Sequence, residues 1–194
     1  LRIIGGTAKG RKLLELPRKG LLAKSVRPTS ARAREAVFNI IAPLVADADI
    51  LDLFAGTGAM GIEALSRGSR SAVFIDKSPT AVKLISRNLD LCGFSCQGKV
   101  LQRDLMQKSI PESIIPPPGF SLVFVDPPYG LAAPGKVFEL LGVNGVLASG
   151  GLVVFEYKAD GRLPEVNGTL QLHDIRRYGA AGFWFYHEVE VKHV

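Results

Sequence analysis

The chain has 194 residues, 47% of them hydrophobic, with a formal net charge of +6. That length suits one well-buried core and is short for two independent domains. No stretch approaches the roughly 18 uncharged apolar residues needed to span a bilayer, and no apolar segment behind a basic start reads as a signal peptide, so a soluble protein is expected.

The charge is placed unevenly. Residues 1–34 hold ten Lys or Arg and one acid, Glu15, which leaves the rest of the chain mildly acidic. A basic extension on an acidic body suits a polyanion, because phosphate contacts release counterions. It also suits a merely solvated terminus. The sequence divides accordingly into a basic hairpin arm over 1–24 and a main domain over 25–194. The first residue is Leu1, so the expected cytoplasmic location becomes organellar if a targeting segment precedes it.

In chain order, residues 1–16 alternate around Gly5, Gly6 and Gly10 and read as a twisted hairpin, Arg2 to Ile4 and Arg11 to Leu16. Thr29 or Ser30 caps a helix with Ala33, Val37, Phe38, Ile40, Ile41 and Leu44 on its apolar side and Arg32, Arg34 and Glu35 opposite. From Ile50 the pattern becomes strand, turn, helix, repeated. Strands are expected at Ile50–Phe54, Ser71–Ile75, Lys99–Gln102, Ser121–Val125 and Gly151–Tyr157. Helices are expected at Met60–Ser66, Pro79 to about Leu91, and Val137–Leu141. The Pro116-Pro117-Pro118 connection has no reading. Leu170–Tyr178 and Phe183–Val191 flank a glycine turn as a closing antiparallel pair. Alternating strands and helices imply a doubly wound, mostly parallel sheet, whose ligand site lies beyond the carboxyl ends of the strands.

Two stretches fall at that edge. Gly56-Thr57-Gly58-Ala59-Met60-Gly61 satisfies G-x-G-x-x-G, and Asp76 follows Gly56 by 20 positions, where an acid binds ribose hydroxyls. This much fits NAD, and with it an oxidoreductase, as well as any other nucleoside cofactor. Asp52 discriminates: in an otherwise apolar strand it either meets the ammonium end of an amino-acid-bearing cofactor such as S-adenosylmethionine, or caps loop N–H groups. Asp104 either accepts from an adenine amine, with Leu105 against the ring, or is an ordinary capping aspartate. Lys77 follows Asp76 at the same edge, and Phe54 precedes the glycines.

The second stretch, Asp126-Pro127-Pro128-Tyr129, suits a planar amine. The lone pair of an exocyclic amine is delocalised into its ring. A carboxylate and a carbonyl that both accept N–H bonds draw the nitrogen toward tetrahedral geometry. The prolines stiffen the turn, and Tyr129 offers a stacking surface for an unstacked base. A double-proline turn can also be plain punctuation. Cys92 and Cys96 read as packing residues in a reducing compartment, without a metal or disulfide role. His173, His187 and His193 read as surface or packing residues.

These residues carry a resemblance that covers nearly the whole chain. Arg2-Ile3-Ile4-Gly5-Gly6 with Gly10-Arg11, Arg27-Pro28-Thr29, Arg34-Glu35, Phe38-Asn39, Asp52 to Gly61, Glu63 to Gly68, Asp126 to Tyr129 and Arg177-Tyr178-Gly179 resemble the RsmD-like family of ribosomal RNA methyltransferases. The Asp-Pro-Pro-Tyr signature is shared by amino methyltransferases acting on DNA, RNA and protein, whereas the N-terminal pieces are more particular. The resemblance implies a Rossmann-like methyltransferase fold, a mostly parallel seven-stranded sheet with a C-terminal antiparallel strand and a small N-terminal hairpin. It implies S-adenosylmethionine as cofactor and the N2 amine of a guanine in 16S-type small-subunit RNA, free or in an assembling subunit, as target of a monomeric enzyme. Cofactor contacts fall on Thr29, Phe38, Asp52, Phe54, Gly56, Gly58, Asp76, Lys77, Asp104, Leu105 and Asp126. Guanine is held by Asp126, Pro127, Pro128 and Tyr129, and RNA by Arg2, Lys9, Arg11, Lys12, Arg27 and Arg34. The family more often has Glu where this chain has Asp76. Adenine-N6 methylation of DNA, and a non-catalytic RNA-binding assembly factor on the same fold, are the competing readings.

Overall fold

The structure, a computed structural model, describes residues 1–15, 30–127, 133–143 and 145–189. Unbroken apolar runs form the central strands. β1 (Asp49–Leu53) is buried along its whole length and β4 (Phe120–Val125) along nearly all of it, as parallel strands covered on both faces must be. With β2 (Ser71–Asp76), β3 (Gly98–Gln102) and β5 (Leu147–Lys158) they make the parallel part of one eight-stranded sheet in the order β3-β2-β1-β4-β5-β8-β7-β6. β7 (Leu170–Tyr178) and β8 (Ala181–Glu188) form the expected antiparallel closure, with β8 beside β5. The two-residue β6 (Val166–Asn167) adds an eighth strand at the edge. Strand order reverses between β1 and β4, which makes that crevice the topological switch point.

Helices cover both faces. α1 (Ala31–Ile40), α2 (Ala59–Ser66) and α3 (Pro79–Cys92) pack on one side, while α4 (Ala133–Leu141) packs on the other. Ser30 caps α1 by accepting from Ala33 N–H, and Ser78 caps α3 the same way from Ala81. The Pro-rich connection after β3 packs Ile110 and Ile114 into the α4-side core.

Three expectations are corrected. Ile40 and Leu44, assigned to the apolar side of α1, are 40% and 46% exposed because the helix ends at Ile40 and a short 3-10 turn over Ala42–Leu44 redirects the chain. Arg34, placed on the polar side, is buried. Cys96 is exposed, and only Cys92 packs as expected.

The N-terminal segment 1–15 pairs with itself through an antiparallel bridge, Arg2 to Lys12, and Ile3 donates to the Arg11 carbonyl. It is also stitched to the body. Ile3, Ala8 and Leu13 are buried in the same core as α1, α2 and α3. The Glu63 carboxylate accepts from Ile4 and Gly5 N–H, both at 2.8 Å, and from Arg67 Nε at 2.8 Å. Ser66 donates to the Gly5 carbonyl and accepts from Ala8. At Gly6 (φ +75°) a Cβ would lie 1.7 Å from the Ser66 carbonyl oxygen, so only glycine permits this approach.

Glu63 is fully buried, so its removal leaves Arg67 and two backbone N–H groups without their acceptor and the buried Arg34 without the carboxylate it faces at 3.9 Å. Glu63→Ala is expected to destabilise the protein by about 3 to 5 kcal/mol in denaturant unfolding.

Candidate active site

The turn between β1 and α2 is shaped by backbone and held by side chains from behind. Phe54 leaves the strand with φ +59°, a conformation in which a bulky residue is strained, and such outliers cluster at functional sites. Gly56 and Gly58 follow at φ +55° and +75°, and Gly58 starts α2. Three side chains fix this loop. Asp76 Oδ2 accepts from Gly56 N–H at 2.9 Å while its Oδ1 accepts from Ser78 N–H at 2.8 Å. Asp52 Oδ2 accepts from Gly61 N–H at 2.9 Å. Asn88, on α3, donates to the Thr57 carbonyl at 2.9 Å. At Gly61 a Cβ would sit 2.3 Å from the Phe74 ring, which explains the third glycine of the fingerprint by helix-to-sheet packing.

Asp52 is therefore a capping acid, bonded to one N–H in the first turn of α2. Among the described residues its Oδ1 accepts no bond and remains for a cation. Asp52 is buried, which pushes its pKa up to about 7 against the restraint of the Gly61 bond; the charge of Asp76 adds to the rise. Asp76 is half-buried, and each oxygen keeps a lone pair for a further donor. Asp104 caps its own turn: Oδ1 accepts from Met106 N–H at 3.0 Å. Lys77 is exposed. Two expected cofactor neighbours are buried. Phe38 is fully buried against Phe124, beneath the Arg67 guanidinium, and Leu105 is buried in the α4-side core. Phe54 is half-buried beside that same core.

At the switch point, Asp126 N–H donates to the Leu53 carbonyl at 3.4 Å, so the Asp-Pro turn and the start of the glycine turn are one hydrogen bond apart. Pro127 is buried; Pro128 and Tyr129 lie outside the described residues. Register adds a residue that the sequence reading missed. Val125 pairs with Phe155, which sets Asp126 beside Glu156 on the next strand. Asp52, Asp126 and Glu156 fall on one face of three adjacent strands, the face that also carries Phe124 and Val154. Glu156 is 7% exposed. Crowding by surrounding protein, then the like charges of Glu156 and Asp52, raise the Asp126 pKa well above the usual carboxylate range. Asp126 is exposed at the turn, so solvent screens this rise. The signal for Glu156 was present as an acid ending the apolar run Leu152 to Phe155.

Of the expected RNA contacts, Arg2, Lys9, Arg11 and Lys12 are exposed on the N-terminal segment, and Arg27 lies outside the described residues, as does Thr29 from the cofactor set. Arg34 is corrected: at 1% exposure its guanidinium donates to the Arg2 carbonyl and faces Glu63 at 3.9 Å, so it braces the segment from inside. No group of three or more metal-binding side chains occurs among the described residues, and none of their helices is long and apolar enough to cross a membrane.

Comparison with known proteins agrees with this architecture. The family model described as Conserved hypothetical protein 95 matches residues 1–187. The ribosomal RNA small subunit methyltransferase D of Escherichia coli K12 is 35% identical over 190 residues, covering 96% of this chain and 89% of its own. The solved Escherichia coli protein yhhF is 32% identical and superposes with a TM-score of 0.79 over 97% of both chains. The fold extends to an RNA methyltransferase from Salinibacter ruber in complex with S-adenosyl-L-homocysteine, 19% identical, with a TM-score of 0.63 over 87% of this chain and 98% of the other.

The Asp52 carboxyl binds its proton more tightly in the fold (about 7) than its ordinary 3.8. Its ionisation therefore costs stability, by an amount absent below pH 4, growing between pH 4 and 7, and complete above. Asp52→Asn keeps an oxygen for Gly61 N–H and removes the charge. Urea melts from pH 4.5 to 8 are expected to show a flatter pH dependence in this variant, with a gain of up to about 4 kcal/mol at pH 8.

Proposed function

We infer the activity from membership: the chain belongs to the Conserved hypothetical protein 95 family, the RsmD family of S-adenosylmethionine-dependent ribosomal RNA methyltransferases. The finer reading is that it methylates the exocyclic N2 amine of a guanine in small-subunit RNA, as a monomeric cytoplasmic enzyme. The observation that carries this reading is the hydrogen bond from Asp126 to Leu53, which holds the amine-accepting turn against the loop that receives the cofactor. The nicotinamide alternative allowed by the glycine fingerprint alone gives way to family membership.

The residues present fit the cofactor. Asp52 offers a buried carboxylate oxygen to an ammonium group, Asp76 keeps lone pairs for ribose hydroxyls, and the turn presents backbone with small side chains. When bound, S-adenosylmethionine supplies an electrophilic methyl carbon on a sulfonium sulfur that departs as a neutral thioether. The protein's part is positioning. The Asp126 carboxylate and the Pro127 carbonyl accept N–H bonds from the amine and aim its lone pair. Once methylated, the nitrogen is acidic and sheds a proton. The raised pKa of Asp126 suits it to receive that proton before passing it to solvent. Arg2, Lys9, Arg11 and Lys12 line the N-terminal segment as a track for RNA phosphates.

Small ribosomal subunits lacking the mark are the substrate for the test, with labelled S-adenosylmethionine and nucleoside analysis of the product. Label is expected in N2-methylguanine, with at least a hundredfold loss in Asp126→Ala. Label in N6-methyladenine, or RNA binding without turnover, would overturn the reading. Replacing Lys9, Arg11 and Lys12 together by alanine is expected to lower the salt slope of RNA affinity by about 2 to 3 while leaving cofactor affinity unchanged.

A further inference from the structure

Asn88 has no role in the chemistry above, yet it is fully buried near the end of α3 and uses its whole amide. Oδ1 accepts from Leu14 N–H at 2.8 Å; Nδ2 donates to the Leu14 carbonyl at 3.2 Å and to the Thr57 carbonyl at 2.9 Å. The pattern fixes the amide's orientation, because turning it over would set a donor against Leu14 N–H and an acceptor against two carbonyls. Leu14 belongs to the basic N-terminal segment, and Thr57 lies between the two positive-φ glycines of the cofactor loop. One side chain therefore spans segments 43 residues apart in sequence.

The same segment reaches the loop by a second route. Glu63 and Ser66 hold Ile4 to Ala8 against α2, whose first turn is the exit of the loop. The loop also packs on α3, where a Cβ at Gly58 would meet Ile85 at 3.1 Å. A displacement of the segment cannot leave the loop's support unchanged. A buried amide that loses one partner loses a hydrogen bond that water does not replace.

We propose that Asn88 is a positioning residue that couples RNA docking on the N-terminal segment to cofactor binding in the glycine loop, so that each ligand alters the affinity for the other. This rests on the assignment of the segment as the RNA-docking element and of the loop as the cofactor site. By linkage the two effects are equal: the factor by which cofactor tightens RNA is the factor by which RNA tightens cofactor. A residue with a purely structural role lowers the melting temperature without altering that factor.

The test uses the full chain, S-adenosylhomocysteine as a non-reacting cofactor probe, and a small-subunit RNA fragment containing the target guanine in unmethylated form. Affinities are measured by calorimetry for each ligand alone and with the other saturating. The wild-type protein is expected to show mutual tightening of about fivefold or more. Asn88→Ala removes every bond of the amide. Asn88→Asp keeps the acceptor for Leu14 N–H and loses both donations. In both variants each ligand still binds and the factor falls toward one. Asn88→Asp carries the measurement if Asn88→Ala does not fold. Independent binding in the wild type, or an unchanged factor in a folded variant, overturns the coupling. A chain that binds neither probe overturns the assigned activity and the coupling with it, whereas binding of both without mutual effect overturns the coupling alone.

Discussion

The site depends on a turn that must expose its backbone to a ligand and so cannot be stabilised by its own side chains. Gly56 and Gly58 adopt left-handed conformations, and Phe54 joins them despite its ring. Such a turn holds one shape only if its polar groups are fixed from outside. Asp76 from the next strand, Asp52 from the strand beneath and Asn88 from α3 do this, each through a single backbone partner on the loop or the helix it opens. The turn's shape is therefore set by residues that a ligand need not touch. Asp52 and Asp76 serve twice, since each has oxygen capacity left after the loop is held.

Negative charge concentrates at the carboxyl edge of the sheet as a result. Asp52, Asp126 and Glu156 share one face of neighbouring strands, and crowding by surrounding protein, followed by the charges of Glu156 and Asp52, raises the proton affinity of Asp126. The arrangement costs stability in the folded chain and suits partners rich in N–H donors or positive charge, such as an ammonium group or a purine amine. The basic N-terminal segment is bonded to α2 and α3, through Glu63 and Asn88.

Most of the fold was legible because strand and helix periods alternate cleanly from Ile50 to Tyr157, and because β1 and β4 read as apolar runs with an acid placed against the trend. The roles of Asp52 and Asp104 as caps were weighed from sequence and are realised in the structure. What escaped depended on the third dimension. Arg34 looked like surface charge because helical spacing places it beside Arg32 and Glu35; its burial follows from the N-terminal segment closing over α1, which no periodicity reports. Glu156 was hidden because its importance lies in pairing register with β4. The burial of Leu105 and Phe38 likewise depends on packing that no sequence position reports.

β8 is late in sequence yet interior to the sheet, wedged between β5 and β7, and it carries Trp184 and Tyr186 into the α4-side core. During synthesis β1 to β5 can emerge and pair before β8 is made, and one flank of β5 then stays open to water. Completion of the domain waits for a strand that follows the other seven in chain order, which inserts by forming long-range contacts on both of its edges. The nascent chain is thus exposed to aggregation through β5 until β8 inserts, so the sheet's interior closes with the strand that is made last.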